Sequence, residues 1–210
     1  MDFQGYLKNT YKTVRRLPLF FILGGFVAQL LTLLSLSLLA GPFMGAYMAT
    51  MILYQREGKT PRLNDLFPDL QAIKQLFSFV FLLLIIVAGF MLLILPGIVF
   101  ATWWLYTLPL MVDKKMKLGE AMRASLHMVN EKGFFMHLVF LLMITFIPFI
   151  ILNFAAAMLP LLNVLKILLP PLQTGCLVGL YLHQFDNLDP ASVIFPDDDQ
   201  SDQVRSLPEK

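Results

Sequence analysis

The residues able to do chemistry in this 210-residue chain are few, and most are cations. Lys114, Lys115 and Lys117 form a basic step directly after one apolar run, and Lys8, Lys12, Arg15 and Arg16 form another directly before one. Cations at the ends of apolar segments suit anionic lipid headgroups, each worth about 1 kcal/mol near a charged membrane surface. These seven are the candidate headgroup contacts. The sequence has no Gly-rich phosphate loop, no His, Cys and carboxylate cluster at metal-ligand spacing and no nucleophile motif. It therefore points to no enzyme, no cofactor and no metal. His127 sits on a polar helical face without a carboxylate or nucleophile to work with. Cys176, the one cysteine, lies inside an apolar run and reads as a packing residue.

Within the apolar runs there is no Asp or Glu, which weighs against an ion-coupled transporter, since coupling usually needs an intramembrane ionisable group. Lys166 is the one candidate charge, and a long side chain of this kind snorkels to the interface. Asn153, Asn163 and Gln173 suit hydrogen bonding between helices. Lining by Gln55, Asn153 or Gln173 of a water-filled cavity would instead mark a solute pathway. Trp103 and Trp104 read as interfacial belt residues, although they fall nearer mid-span than the edge, with cation binding or substrate stacking as the sharper alternative.

The elements that must position these residues are membrane helices. The chain is 58% hydrophobic and only 14% charged, with a mean hydropathy of +0.71. Soluble domains carry about 25% charged residues, so lipid is the expected solvent. Residues 3–14 read as an amphipathic helix lying in the membrane interface, or a short solvated helix docked on protein, with Phe3, Tyr6, Leu7, Thr10, Tyr11 and Val14 on one face and Gln4, Lys8, Asn9 and Lys12 on the other. Residues 17–40 follow as a retained span, too long for the core of a cleaved leader. Gly41 and Pro42 break it, and 43–55 return as a short helix. Asp69 caps a helix running into a span over 76–95, broken at Pro96 and Gly97, with a return over 98–112. A polar helix follows, with Leu118, Ala121, Met122, Ser125 and Val129 on one face. The span over 134–158 is kinked by Pro148, 159–169 form an amphipathic or re-entrant connection, and Pro170 and Pro171 open the last short return. Pro42, Pro96, Gly97, Pro170 and Pro171 are thus the hinges. Gly41, Gly45 and Ala49, and again Gly175 and Gly179, are spaced for close helix packing, within the chain or across a dimer.

This is an all-α integral membrane domain over 1–186, with three hairpins at 3–55, 69–112 and 118–184 and an acidic, disordered tail over 187–210. Every Lys and Arg but Lys166 lies before the first span, in the polar links between the return of one hairpin and the long span of the next, or in the tail. The positive-inside rule then places both termini in the cytoplasm of a plasma (inner) membrane protein, with six crossings, or fewer if the short returns are re-entrant.

The stretch LLILPGIVFATWWLYTLPLMVDKKMKLGEAMRASLHMV, with Gly119, Glu120, Ala121 and Ser125 after the basic step, resembles a broad group of bacterial multi-span proteins of unknown function. The turn at Gly41, Pro42, Phe43, Met44 and Gly45 and the closing Gly179, Leu180 and Tyr181 look similar too, so the likeness covers about 20–186. Related membrane domains occur fused to glycerophosphodiester phosphodiesterases, but the catalytic barrel of those enzymes has no counterpart here. The resemblance implies a six-span inner-membrane fold associated with lipid or envelope biology, and assigns no residue a role. The expected function is a non-enzymatic module that binds anionic lipids, with a membrane-protein partner or a second copy of itself as further expected partners, and does not bind nucleic acid. The alternative is a transporter or channel-like protein using the short helices after Pro42 and Pro171.

Overall fold

A computed structural model of the chain describes residues 3–35, 39–92 and 94–186. The acidic tail expected over 187–210 lies outside the described residues. All regular structure among the described residues is helical: α1 (Phe3–Arg16), α2 (Pro18–Leu34), α3 (Ala40–Glu57), α4 (Leu70–Phe77), α5 (Phe79–Leu92), α6 (Ile94–Trp103), α7 (Thr107–Asp113), α8 (Leu118–Lys132), α9 (Phe134–Leu141), α10 (Ile147–Met158) and α11 (Leu169–Phe185). Short 3₁₀ helices cover Leu63–Leu66 and Pro160–Leu168, and a π-helical turn, Leu142–Phe146, joins α9 to α10.

The prolines fall inside the returns, not at their borders. Pro42, Pro96 and Pro109 each occupy the third position of α3, α6 and α7, and Pro170 and Pro171 the second and third of α11. The first four N–H groups of a helix have no intrahelical acceptor, so a proline there forfeits nothing. The breaks therefore come earlier than Gly41 with Pro42, and Pro96 with Gly97, suggest. α2 ends at Leu34 rather than Ala40, and α6 starts at Ile94. Pro148 sits at the second position of α10, and the π-helical turn directly before it relieves its clash with the preceding turn.

Three continuous helical stretches are long and apolar enough to cross a bilayer: Ile94–Asp113, Phe134–Met158 and Leu161–Phe185. Two bent pairs raise the number to five if each is one span: Phe3–Arg16 with Pro18–Thr32, at 101°, and Leu63–Phe77 with Phe79–Leu92, at 58°. The capping role read for Asp69 is present, its Oδ1 accepting the Ala72 N–H at 2.7 Å.

α3 is not among those stretches. It is the core of the molecule, packed by α2, α4, α5, α7 and α11. Tyr47, Met51, Ile52 and Gln55 on it are all but fully buried. A helix wrapped in protein needs surfaces that fit, not surfaces that dissolve in lipid, and α3 is built of Gly, Ala, Tyr, Thr and Met. A Cβ on Gly41 would lie 2.2 Å from the Leu76 carbonyl oxygen, and one on Gly45 2.9 Å from the Leu76 side chain and 3.0 Å from Val112. Ala49 is half-buried on the same helix. At the α5–α6 hairpin, Gly89 and Gly97 meet in the same way, a Cβ on Gly89 lying 3.1 Å from the Gly97 backbone.

α1 is turned differently from its sequence pattern. Its buried residues are Tyr6, Asn9, Thr10 and Thr13, whereas Leu7 and Tyr11 are 50% and 60% exposed. The protein-facing stripe is polar because it lies on Gly175 and Gly179 of α11. A Cβ on Gly175 would stand 2.3 Å from the Thr10 methyl, and Gly179 meets the Tyr6 ring.

Gly41→Ala should destabilise the detergent-solubilised protein by about 1–3 kcal/mol, because backbone oxygen cannot move aside as a side chain does. Gly119→Ala, with nothing within 4 Å of the new Cβ, should be neutral or raise stability by up to about 1 kcal/mol through helix propensity. Thermal melting of the two variants side by side checks both signs.

Candidate functional site

The charged residues that end the apolar runs come together. Arg56 sits in the last turn of α3, Asp113 is the last residue of α7, and Asp186 follows α11. The Arg56 guanidinium donates two parallel hydrogen bonds to Asp113, each 2.7 Å, and its Nε donates to Asp186 Oδ2 at 2.9 Å. Tyr181 OH donates to Asp113 Oδ2 at 2.6 Å, and Lys114 Nζ to Asp186 Oδ1 at 3.2 Å. The Asp113 side chain is only 9% exposed.

Electrostatics explains the grouping. A helix C-terminus carries about half a negative charge, so a carboxylate there is misplaced. Asp113 and Asp186 are both so placed, and the C-terminus of α3 arrives beside them. Arg56 and Lys114 supply two positive charges to balance the two carboxylates. Arginine suits the task because its planar fork serves both carboxylates at once and stays protonated at any accessible pH.

Below this clamp lie two Tyr–His pairs. Tyr6 OH bonds His183 Nδ1, joining α1 to α11. Tyr106 OH bonds His137 Nε2 at 2.8 Å, while His137 Nδ1 lies 2.8 Å from the Gly133 carbonyl. A carbonyl only accepts, so Nδ1 carries the proton and Nε2 accepts from the tyrosine. The partner of Nδ1 is thus a backbone carbonyl, which fixes the ring's orientation. His137 and Tyr106 are both fully buried and brace α9 against the gap between α6 and α7. Ser125 braces the same gap from α8. Its hydroxyl accepts the Tyr106 N–H at 3.0 Å and donates to the Trp103 carbonyl at 2.8 Å. Ala121 and Val129, one turn to either side of Ser125, are fully buried.

The sequence candidates are spread over several places. Lys8, Lys12, Arg15 and Arg16 are exposed on α1. Lys114 is in the clamp; Lys115 and Lys117 are exposed on the loop into α8, whose first turn is closed by Glu120 accepting the Lys117 N–H at 3.2 Å. Lys166 donates to Asn153 Oδ1 at 2.8 Å, and Asn153 donates to the Phe149 carbonyl at 2.7 Å. Gln55 donates to the Gly175 carbonyl at 3.4 Å, with its Oε1 buried and unpaired. Trp104 stacks on Phe100 at 5.2 Å, and Trp103 meets Phe134 edge-on at 6.1 Å. His127 is exposed and faces Glu131 at 3.4 Å. Among the described residues no three His, Cys, Asp or Glu side chains converge as a metal site.

The clamp was missed by sequence reading, which counted Arg56 and Lys114 only as members of basic links. Its signal was present: Arg56, Asp113 and Asp186 each stand immediately after an apolar run. The described residues form an all-helical protein with three to five candidate membrane-spanning stretches, drawn together at one end by ion pairs. No family model, no curated protein and no solved structure matches the chain.

Arg56→Lys should not rescue the clamp, because an ammonium cannot bond both carboxylates in parallel. A loss of about 1–3 kcal/mol is expected for a part-exposed charge pair broken on one side. In a double-mutant cycle, Arg56→Met and Asp113→Asn should couple, their combined loss falling well short of the sum. Ser125→Ala should cost about 1–3 kcal/mol by stranding the Tyr106 N–H and the Trp103 carbonyl. Chemical denaturation in detergent reads all three.

Proposed function

We propose that this chain is a non-enzymatic, multi-pass plasma (inner) membrane module whose basic surfaces hold anionic lipid headgroups beside it. In this reading the helices form hairpins with up to six crossings, α3 serving as a protein-wrapped return, and both termini face the cytoplasm. Its kinship is with the bacterial multi-span group related to the domain fused to glycerophosphodiester phosphodiesterases.

The observation that carries the reading is the split character of α1. One face is committed to α11 through Tyr6 and Thr10. The other exposes Leu7 and Tyr11 together with Lys8, Lys12 and Arg15. Apolar side chains alternating with cations on an unpaired helix face match the boundary between acyl chains and headgroups. Lys114 is less available for this role, because Asp113 and Asp186 already neutralise it. The transport reading loses support at its expected lining. Gln55 closes onto the Gly175 backbone and Asn153 onto Phe149 and Lys166, so the two serve separate helix contacts.

The triple reversal Lys8→Glu, Lys12→Glu and Arg15→Glu should lower retention of phosphatidylglycerol by about tenfold or more, at about 1 kcal/mol per cation removed. Native mass spectrometry of protein extracted gently from anionic bilayers measures it, with Lys114→Glu as a weaker comparison. Undiminished lipid retention by a triple variant of unchanged melting temperature would refute the headgroup role. A protein retained at fixed stoichiometry in place of lipid would move the reading to a membrane partner.

A further inference from the structure

Beside the clamp the fold leaves a cleft of about 380 Å³ between α3, α4 and the loop after α7. Its floor is apolar, formed by Ala46, Ala49, Leu76, Met111 and Val112, and Lys115 stands on its wall. Lys115 takes a left-handed backbone conformation, φ 52°, which costs a non-glycine residue about 1 kcal/mol or more. Gln75 holds the loop in that shape, its Nε2 donating to the carbonyls of Met111 and Met116 at 3.2 Å each. The loop is thus fastened so that a cation borders an apolar hollow.

The chain's own tail begins next to this hollow. Asp186 is bonded to Lys114, the residue adjoining Lys115. From Asp186, the nine residues to Phe195 can extend about 30 Å. The apolar residues Leu188, Ala191, Val204 and Leu207 stand singly in the tail, whereas Val193, Ile194 and Phe195 form its one run of three, followed by Pro196 and the acids Asp197, Asp198 and Asp199. A tail serving only as a solvated acidic segment has no use for that cluster.

We propose that the cleft is the docking site of residues 193–199 of the same chain. Val193, Ile194 and Phe195 lie on the apolar floor, and the three aspartates run out over the rim toward Lys115 and Lys117. Two acids in the lining set this direction. Asp65 and Asp69 also line the cleft and repel the aspartates, although each already accepts a backbone N–H, from Arg62 and Ala72. The acidic end of the segment is therefore steered to the lysine side. Docking covers Lys115 and shields Lys117, so the tail competes with anionic headgroups for this loop while leaving α1 untouched.

Disulfide trapping in isolated membranes tests the site. Gln71 lines the cleft and is exposed, and the native Cys176 is buried and out of reach of oxidant. In full-length Gln71→Cys/Ser192→Cys, an intrachain disulfide should form about tenfold or more faster than in Gln71→Cys/Ser206→Cys, because docking raises the local thiol concentration. Adding Phe195→Ser should lower the rate of the first pair several-fold, leaving only the advantage of its shorter tether over the control. Equal rates for the two pairs, or indifference to Phe195→Ser, would overturn the proposal. A disulfide-linked dimer in place of the intrachain product would overturn it too, by showing a second copy in the cleft.

Discussion

The structure depends on Arg56. Three helices, α3, α7 and α11, bring their C-terminal ends to one place, and two of those ends carry or adjoin a carboxylate. Left alone, the arrangement would set helix dipoles and acids of the same sign against each other. One guanidinium, aided by Lys114, reverses the sign of the interaction and makes convergence favourable. Tyr181 completes Asp113 from α11, so that the acid is held by two different helices besides its own. The clamp also sets the register of its surroundings, since Tyr181 and Phe185 pack their rings 5.0 Å apart and Phe185 meets Tyr106 at 5.4 Å. The braced gap at Trp103 and Tyr106 is therefore continuous with the ion pairs.

With one end tied by charge, close packing does the rest. The hub helix α3 is contacted along its length, and its small residues let neighbours approach to backbone distance. In lipid, apolar side chains gain little by leaving the solvent, so association relies on fit and on buried polar contacts. α3 shows both: Gly41 and Gly45 provide fit, and the Tyr47 hydroxyl donates to the Phe21 carbonyl at 2.9 Å. The fit comes at the expense of hydropathy, and this is why a buried central helix falls outside the stretches that look membrane-spanning.

What was legible in the sequence follows from locality. The apolar runs over 134–158 and around Pro96, the cap at Asp69 and the buried face of α8 depend on residues a few positions apart, and they can be read directly. Helices near prolines start at 40, 94 and 169 instead of 43, 98 and 170, because a proline marks the first turn rather than its edge. The side that α1 turns to the protein does not follow from period. Period alone ranks faces by hydrophobicity, but α11 offers glycines and a cysteine there, which select small and hydroxylated partners such as Thr10. The clamp joins residues 57 and 130 positions apart, and no local pattern encodes such a pairing.

The α1–α11 seam has a cost that bears on the role of α1. Asn9 Oδ1 and Thr13 Oγ1 are buried without partners, as is Oε1 of the neighbouring Gln55. Each such acceptor opposes docking by about 1–3 kcal/mol. Against this stand the Tyr6–His183 and Thr10–Cys176 contacts and the ring packing of Phe3 and Tyr6 on Phe140. An ordinary amphipathic helix would avoid the cost by turning Leu7 and Tyr11 inward. The sequence instead keeps these two outside, next to Lys8, Lys12 and Arg15. What the exchange gives is the close approach of Thr10 to Gly175 and of Tyr6 to Gly179, so the orientation of α1 follows from its fit to α11.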